Sequence, residues 1–116
     1  MSIKNTGVEG EKLAGKYLTK QNHKIIATNY HYKRFGEIDI ITLKNNTLHF
    51  VEVKTRKSNS HGYGYEAVDQ RKLTKFLRTA QAFLVQHNYT NYSYQFDIIS
   101  ILLSNETVDY YENITQ

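Results

Sequence analysis

The stretch Gly36-Glu37-Ile38-Asp39-Ile40-Ile41-Thr42-Leu43-Lys44-Asn45-Asn46-Thr47-Leu48-His49-Phe50-Val51-Glu52-Val53-Lys54-Thr55-Arg56 decides the fold. It reads as two strands, over 37–43 and 48–55, joined by a tight hairpin. Asn45-Asn46 supplies the positive φ angles that a two-residue hairpin needs. Side chains alternate faces along a strand. Val51 and Val53 therefore share one face, and Phe50, Glu52 and Lys54 the other. In the first strand Ile38 and Ile40 oppose Glu37, Asp39 and Ile41. Pairing the two strands sets Asp39 beside Glu52. Like charges on neighbouring strands repel by a few tenths of a kcal/mol or more, and burial raises the cost. A divalent cation removes that conflict.

Outward from the hairpin, the chain alternates between the two periodicities. Leu13, Ala14, Tyr17 and Leu18 form the apolar arc of a helix over about 7–21, with Lys12, Lys16 and Lys20 recurring on the other side. Thr6-Gly7-Val8-Glu9 fits a capping box at its start. Glu11 points close to Leu18, at the rim of the apolar arc. A strand over 23–32 follows. After the hairpin, 56–65 has the Ser, Asn and Gly content of a loop. A second helix over about 69–87 presents Leu73, Phe76, Leu77, Ala80 and Leu84 to a core and a basic stripe of Arg71, Lys75 and Arg78 to the outside. Strands over 94–103 and 108–112 close the chain. The order is α-β-β-β-α-β(β), an α/β fold with a mixed central sheet flanked by helices.

The chemistry that suits paired carboxylates on such strands is phosphodiester hydrolysis. Asp39 and Glu52 can hold Mg²⁺ or Mn²⁺, hard cations that prefer oxygen ligands. The ion lowers the pKa of water and neutralises phosphate charge. Lys54 shares a face with Glu52, where it can orient the attacking water or stabilise an oxyanion. Twelve residues separate the two acids, and Glu52-Val53-Lys54 ends an apolar strand. Glu37, beside Gly36, stands open between metal ligand and loop-capping group.

The chain resembles the YraN family of small predicted endonucleases, which have the restriction-endonuclease-like PD-(D/E)xK fold and are similar to archaeal Holliday-junction resolvases. The resemblance is carried by Gly7-Val8-Glu9-Gly10-Glu11 with Ala14, Tyr17 and Leu18, by Asn29, Gly36-Glu37-Ile38-Asp39 and Phe50-Val51-Glu52-Val53-Lys54-Thr55-Arg56, and by Gly62, Glu66-Ala67-Val68, Lys72 and Phe96-Asp97-Ile98. It implies that Asp39 and Glu52 are metal ligands, with the Val53 carbonyl as a further ligand and Lys54 as the catalytic lysine. It also implies that Glu11 reaches the same metal site from the first helix, and that junction cleavage uses a homodimer, although no apolar interface stripe stands out here. The family usually has Phe before the Gly62 position and Pro two residues after it, where this chain has His61 and Gly64. It usually has Arg before the Phe-Asp pair, where this chain has Gln95.

Composition bounds the remaining readings. The 116 residues suit one domain over 1–116. The absence of cysteine excludes disulfides, thiolate catalysis and Cys-ligated zinc. The histidines have no zinc-ligand spacing. No apolar run approaches the roughly 18 residues that span a bilayer, and Met1-Ser2-Ile3-Lys4-Asn5 lacks a signal peptide's apolar stretch. A cytoplasmic protein with no membrane partner is expected.

The net charge of +4 is unevenly spread. Residues 1–78 hold all fifteen Lys and Arg and a balance of +8, while 79–116 carry −4. Such asymmetry fits a polyanion such as DNA as readily as it fits ordinary solubilisation. Arg56, Lys72, Arg71 and Lys75 are the candidate nucleic-acid contacts, and His61, Tyr63 and Tyr65 candidate contacts in the loop. The expected function is metal-dependent endonucleolytic hydrolysis of DNA, including branched or structured DNA. The alternative is a nucleic-acid-binding module that keeps the fold with little or no turnover. The presence of Lys54 favours the enzyme.

Overall fold

The computed structural model describes residues 3–58 and 70–114, with side chains from Gly7 onward. The elements run α1 (Ile3–Lys20), β1 (Lys24–Tyr32), β2 (Gly36–Lys44), β3 (Thr47–Arg56), α2 (Gln70–Gln86), β4 (Ser93–Leu102) and β5 (Thr107–Tyr111). The five strands form one sheet in sequential order. All neighbours are antiparallel except β3 and β4, which run parallel from Thr47↔Ser93 to Arg56↔Leu102. A parallel pair needs a crossover of a dozen or more residues, and α2 lies within that connection. The expected mixed α/β order is the observed one.

The hairpin turns as its sequence predicts: Asn45 and Asn46 have φ of 52° and 60° and join Lys44↔Thr47. Gly36 opens β2 at φ 147°, a backbone region that L side chains rarely adopt. The helix starts earlier than the sequence suggests. It begins at Ile3, so position 6, expected as the N-cap, lies within the helical backbone.

Helices cover opposite faces of the sheet. Ala14 and Leu18 of α1 pack on Ile40, Val51, Ile99 and Ile101. Ala80, Phe83 and Leu84 of α2 pack on Ile38, Ile41, Leu48, Phe50 and Phe96. Because both faces are covered, Leu48 to Val51 is buried without alternation. Close docking of α1 depends on Gly10, where an added Cβ would lie 1.9 Å from Thr55 Oγ1 of β3.

One expectation about β2 fails. Ile38 and Ile40 do not share a face: Ile38 packs in the α2-side cluster with Ile41, and Ile40 in the α1-side cluster. Strict alternation breaks at Asp39. On the neighbouring strand the register runs unbroken from Thr28↔Ile40 to Tyr30↔Ile38, its one shift falling earlier, between Ile25 and Ala27, but Asn29, level with Asp39, has a φ of 50°. Asparagine tolerates this left-handed conformation better than most residues.

Candidate functional site

The ladder between β2 and β3 runs from Lys44↔Thr47 to Ile40↔Val51. Beyond it, where Asp39 and Glu52 would pair next, a side chain takes over: Val53 N–H donates to Asp39 Oδ2 at 2.8 Å. In an extended strand the N–H and C=O of one residue face the same neighbour, so the Val53 carbonyl is turned toward the Asp39 side of β3. Burial pushes the Asp39 carboxyl up to about 7. The Val53 amide opposes that rise, and Glu11, Glu37 and Glu52 add to it. Four carboxylates from three elements thus meet within electrostatic reach of one another.

Glu11 enters from α1. It is half-buried, and burial raises its pKa, with Glu37 adding to the rise and a hydrogen bond to the Asn29 side chain opposing it. The left-handed backbone of Asn29 therefore coincides with a contact to the helix glutamate. Periodicity gives no sign of this contact; in the sequence Asn29 stands out only as a polar residue within a strand rich in Ile, Thr and aromatic side chains.

Glu52 and Glu37 border a cavity of about 290 Å³ on the α2 side, together with Arg34, Phe35, Lys72 and Lys75. Lys72 Nζ lies 2.8 Å from Glu52 Oε1. Lys72 is thus paired with a candidate metal ligand instead of projecting alone toward a phosphate. Glu37 is exposed and lies 3.2 Å from His31 across the β1–β2 pair. Lys54 is half-buried near the end of β3, and Arg56 half-buried at its end. Arg71 and Lys75 are exposed on α2. His61, Tyr63 and Tyr65 lie outside the described residues.

A second polar group was not anticipated from sequence. Candidate ligand atoms of His49, Asp97 and Glu112 lie within 4.8 Å of one another. Asp97 is fully buried, and both its oxygens are engaged. Oδ2 accepts from His49 Nδ1 at 2.7 Å and from the Tyr110 hydroxyl; Oδ1 accepts from Gln95 Nε2 and from Asn113 N–H, each at 2.9 Å. Burial alone would raise the Asp97 pKa, but these four bonds hold it below the usual carboxylate value. A carboxylate has about four acceptor sites, so its hydrogen-bonding capacity is filled by the protein. Gln95 supplies one of those donors. The group reads as a closed structural network. The His23 ring packs on it, 4.6 Å from the His49 ring, with Nδ1 2.6 Å from Thr42 Oγ1.

Comparison with known proteins gives one consistent match. The sequence model described as "Uncharacterised protein family UPF0102" matches residues 10–101. A UPF0102 protein of Fusobacterium nucleatum is 43% identical over 114 residues, covering 98% of this chain and 93% of the relative. One from Caldanaerobacter subterraneus is 44% identical over 103 residues, covering 89% and 84%. One from Alkaliphilus metalliredigens is 39% identical over 110 residues, covering 95% and 96%.

Proposed function

The chain belongs to the UPF0102 family, and from that membership and the carboxylate cluster we propose that it is a Mg²⁺- or Mn²⁺-dependent endonuclease of the restriction-endonuclease-like, YraN-type class, acting on DNA. The observation that carries this reading is the partly buried Asp39, whose carboxyl is pushed up to about 7 amid Glu11, Glu37 and Glu52. Such a group is costly unless cationic charge accompanies it. The donor set consists of carboxylate oxygens with a backbone carbonyl at hand, which suits a hard divalent ion and not a soft one. Asp39, Glu52, Glu11 and the Val53 carbonyl would hold it. When bound, the ion supplies positive charge beside the scissile phosphate and lowers the pKa of water.

The chain's own groups have distinct tasks in this reading. The Val53 amide fixes the Asp39 carboxylate, and Asn29 fixes Glu11. Lys54, two residues beyond Glu52, directs its ammonium at the attacking water or the developing oxyanion. Lys72 neutralises Glu52 until substrate and metal arrive, and then becomes available to phosphate. The Lys72–Glu52 pair is also the observation favouring the second reading, a nucleic-acid-binding module with little turnover, because a persistent pair competes with metal at Glu52.

The deciding experiment incubates labelled linear, single-stranded and four-way-junction DNA with Mg²⁺ or Mn²⁺, running wild type and Asp39→Asn in parallel. Products with wild type that fall at least a hundredfold in the variant are expected, a loss typical of removing electrostatic support from a transition state. Equal cleavage by both proteins would remove the mechanism. Salt-sensitive retention of DNA without products would favour the binding module.

A further inference from the structure

The cavity beside Glu52 is not the largest concave surface among the described residues. A groove of about 800 Å³ runs between α1 and β1, bordered by Glu11, Lys12, Lys16, Lys20, Ile25 and Asn29. Since β1 is an edge strand, no further strand covers that side.

Three observations converge on it. Lys12, Lys16 and Lys20 are exposed and recur every four residues, about 6 Å of helix rise apart. None of the three forms an ion pair among the described residues. Together they cover about 12 Å of helix, a length over which one strand of B-form DNA presents roughly three or four phosphates. The floor, by contrast, is apolar and open: Ile25 is 37% and Val8 52% exposed.

Gly15 deepens the floor. An added Cβ there would meet only Ile25 Cδ1, at 3.5 Å, an ordinary contact. Alanine would fit and would favour the helix by about 0.5–1 kcal/mol, so packing within the chain does not require this glycine. Gly10, five residues earlier, has no such room. Finally, Glu11 and Asn29 line the groove's wall and join it to the carboxylates around Asp39.

We propose that this groove carries a single nucleic-acid strand, with its phosphates on Lys12, Lys16 and Lys20 and its bases against Val8 and Ile25, and leads it to Glu11 and Asp39. The inference rests on the nuclease reading of those carboxylates. A single strand fits better than a duplex because an apolar floor can take up base faces that a duplex keeps stacked internally.

The test measures fluorescence anisotropy of labelled oligo-thymidylate, oligo-uridylate and a duplex of equal length, with the full chain in EDTA and salt varied from 50 to 200 mM. Wild type should bind the single strands more tightly than the duplex, and the two oligomers tell DNA from RNA as the source of the strand. The triple variant Lys12→Gln/Lys16→Gln/Lys20→Gln should bind roughly tenfold or more weakly at low salt, with the log–log salt slope reduced by about 2. Lys24→Gln/Lys33→Gln/Lys44→Gln loses the same charge elsewhere and should stay within about twofold of wild type. Gly15→Leu should weaken binding without changing the slope, and circular dichroism checks that each variant folds.

Equal losses in both triple variants, or a groove variant that binds like wild type, would overturn the proposal. So would competition by poly-glutamate as effective as that by the oligonucleotide, which would assign the lysines to polyanions in general. Because binding is read without catalysis, a failed groove can coexist with Asp39-dependent cleavage. Loss of cleavage in wild type itself would strike the nuclease reading instead.

Discussion

Asp39 accepts the Val53 amide at 2.8 Å, yet it sits among Glu11, Glu37 and Glu52, so its charge is costly to keep at neutral pH. Its folded pKa of about 7 lies above the ordinary 3.8, so its contribution to stability is full below pH 4 and lost as pH rises through about 7. Asp39→Asn keeps an oxygen that can accept the Val53 bond and removes the charge. In divalent-free buffer at pH 8 the variant should melt about 3–8 °C higher than wild type, and a lower Tm would mean that the carboxylate is not under strain. His23 behaves in the opposite sense. Burial, followed by His49 and Lys44, lowers its pKa from 6.5 to about 4, with Asp97 opposing. The folded state binds fewer protons there than the unfolded chain, so its contribution is full above pH 6.5 and lost as pH falls through about 4. The two trends overlap, so the informative measurement is a difference. Urea denaturation of wild type against His23→Gln should show wild type losing about 1–3 kcal/mol relative to the variant between pH 6.5 and 4. A flat difference would mean that the ring is hydrated when folded.

At the scale of elements, two contacts decide how the site is assembled. Gly10 lets α1 approach β3, and Gly10→Ala would force its Cβ onto Thr55 Oγ1. Overpacking of this kind costs about 1–3 kcal/mol, and Thr55→Ala in the same chain should recover part of it; an additive double variant would argue against the contact. Lys72 ties α2 to β3 through Glu52, with the two side chains 52% and 22% exposed. An exposed pair is worth under about 1 kcal/mol, so Lys72→Met should barely move the Tm. It should, however, tighten Mn²⁺ binding measured by calorimetry, because the cation competing for Glu52 is gone. Unchanged affinity would place metal away from Glu52. The strand spans and hairpin turn were legible in local pattern, from Asn45-Asn46 to the apolar run at Phe50. The break in β2 at Asp39 was not, because alternation assumes a regular pleat, and no local pattern in β2 marks where Ile38 and Ile40 turn to opposite faces.

For the whole molecule, the sheet is clamped between two helices, and Phe50 is buried at the α2 face among Phe83, Tyr94 and Phe96. Phe50→Ala should cost about 3–5 kcal/mol, seen as a fall in the urea midpoint. Charge is arranged at the same scale, with every Lys and Arg within the first 78 residues and a balance of −4 thereafter. Among the described residues no helix is long and apolar enough to cross a membrane. By itself the sequence determined the element order, the hairpin and which strands carry Asp39 and Glu52, because these depend on periodicities of two and 3.6 and on residue type within a few positions. Only the tertiary structure decided which acids meet, that Lys72 occupies Glu52, that Asn29 holds Glu11, and that His49, Asp97 and Tyr110 close a network of their own. Those partners stand 20, 18, 48 and 13 positions apart, and no local pattern encodes contacts made by folding one element over another.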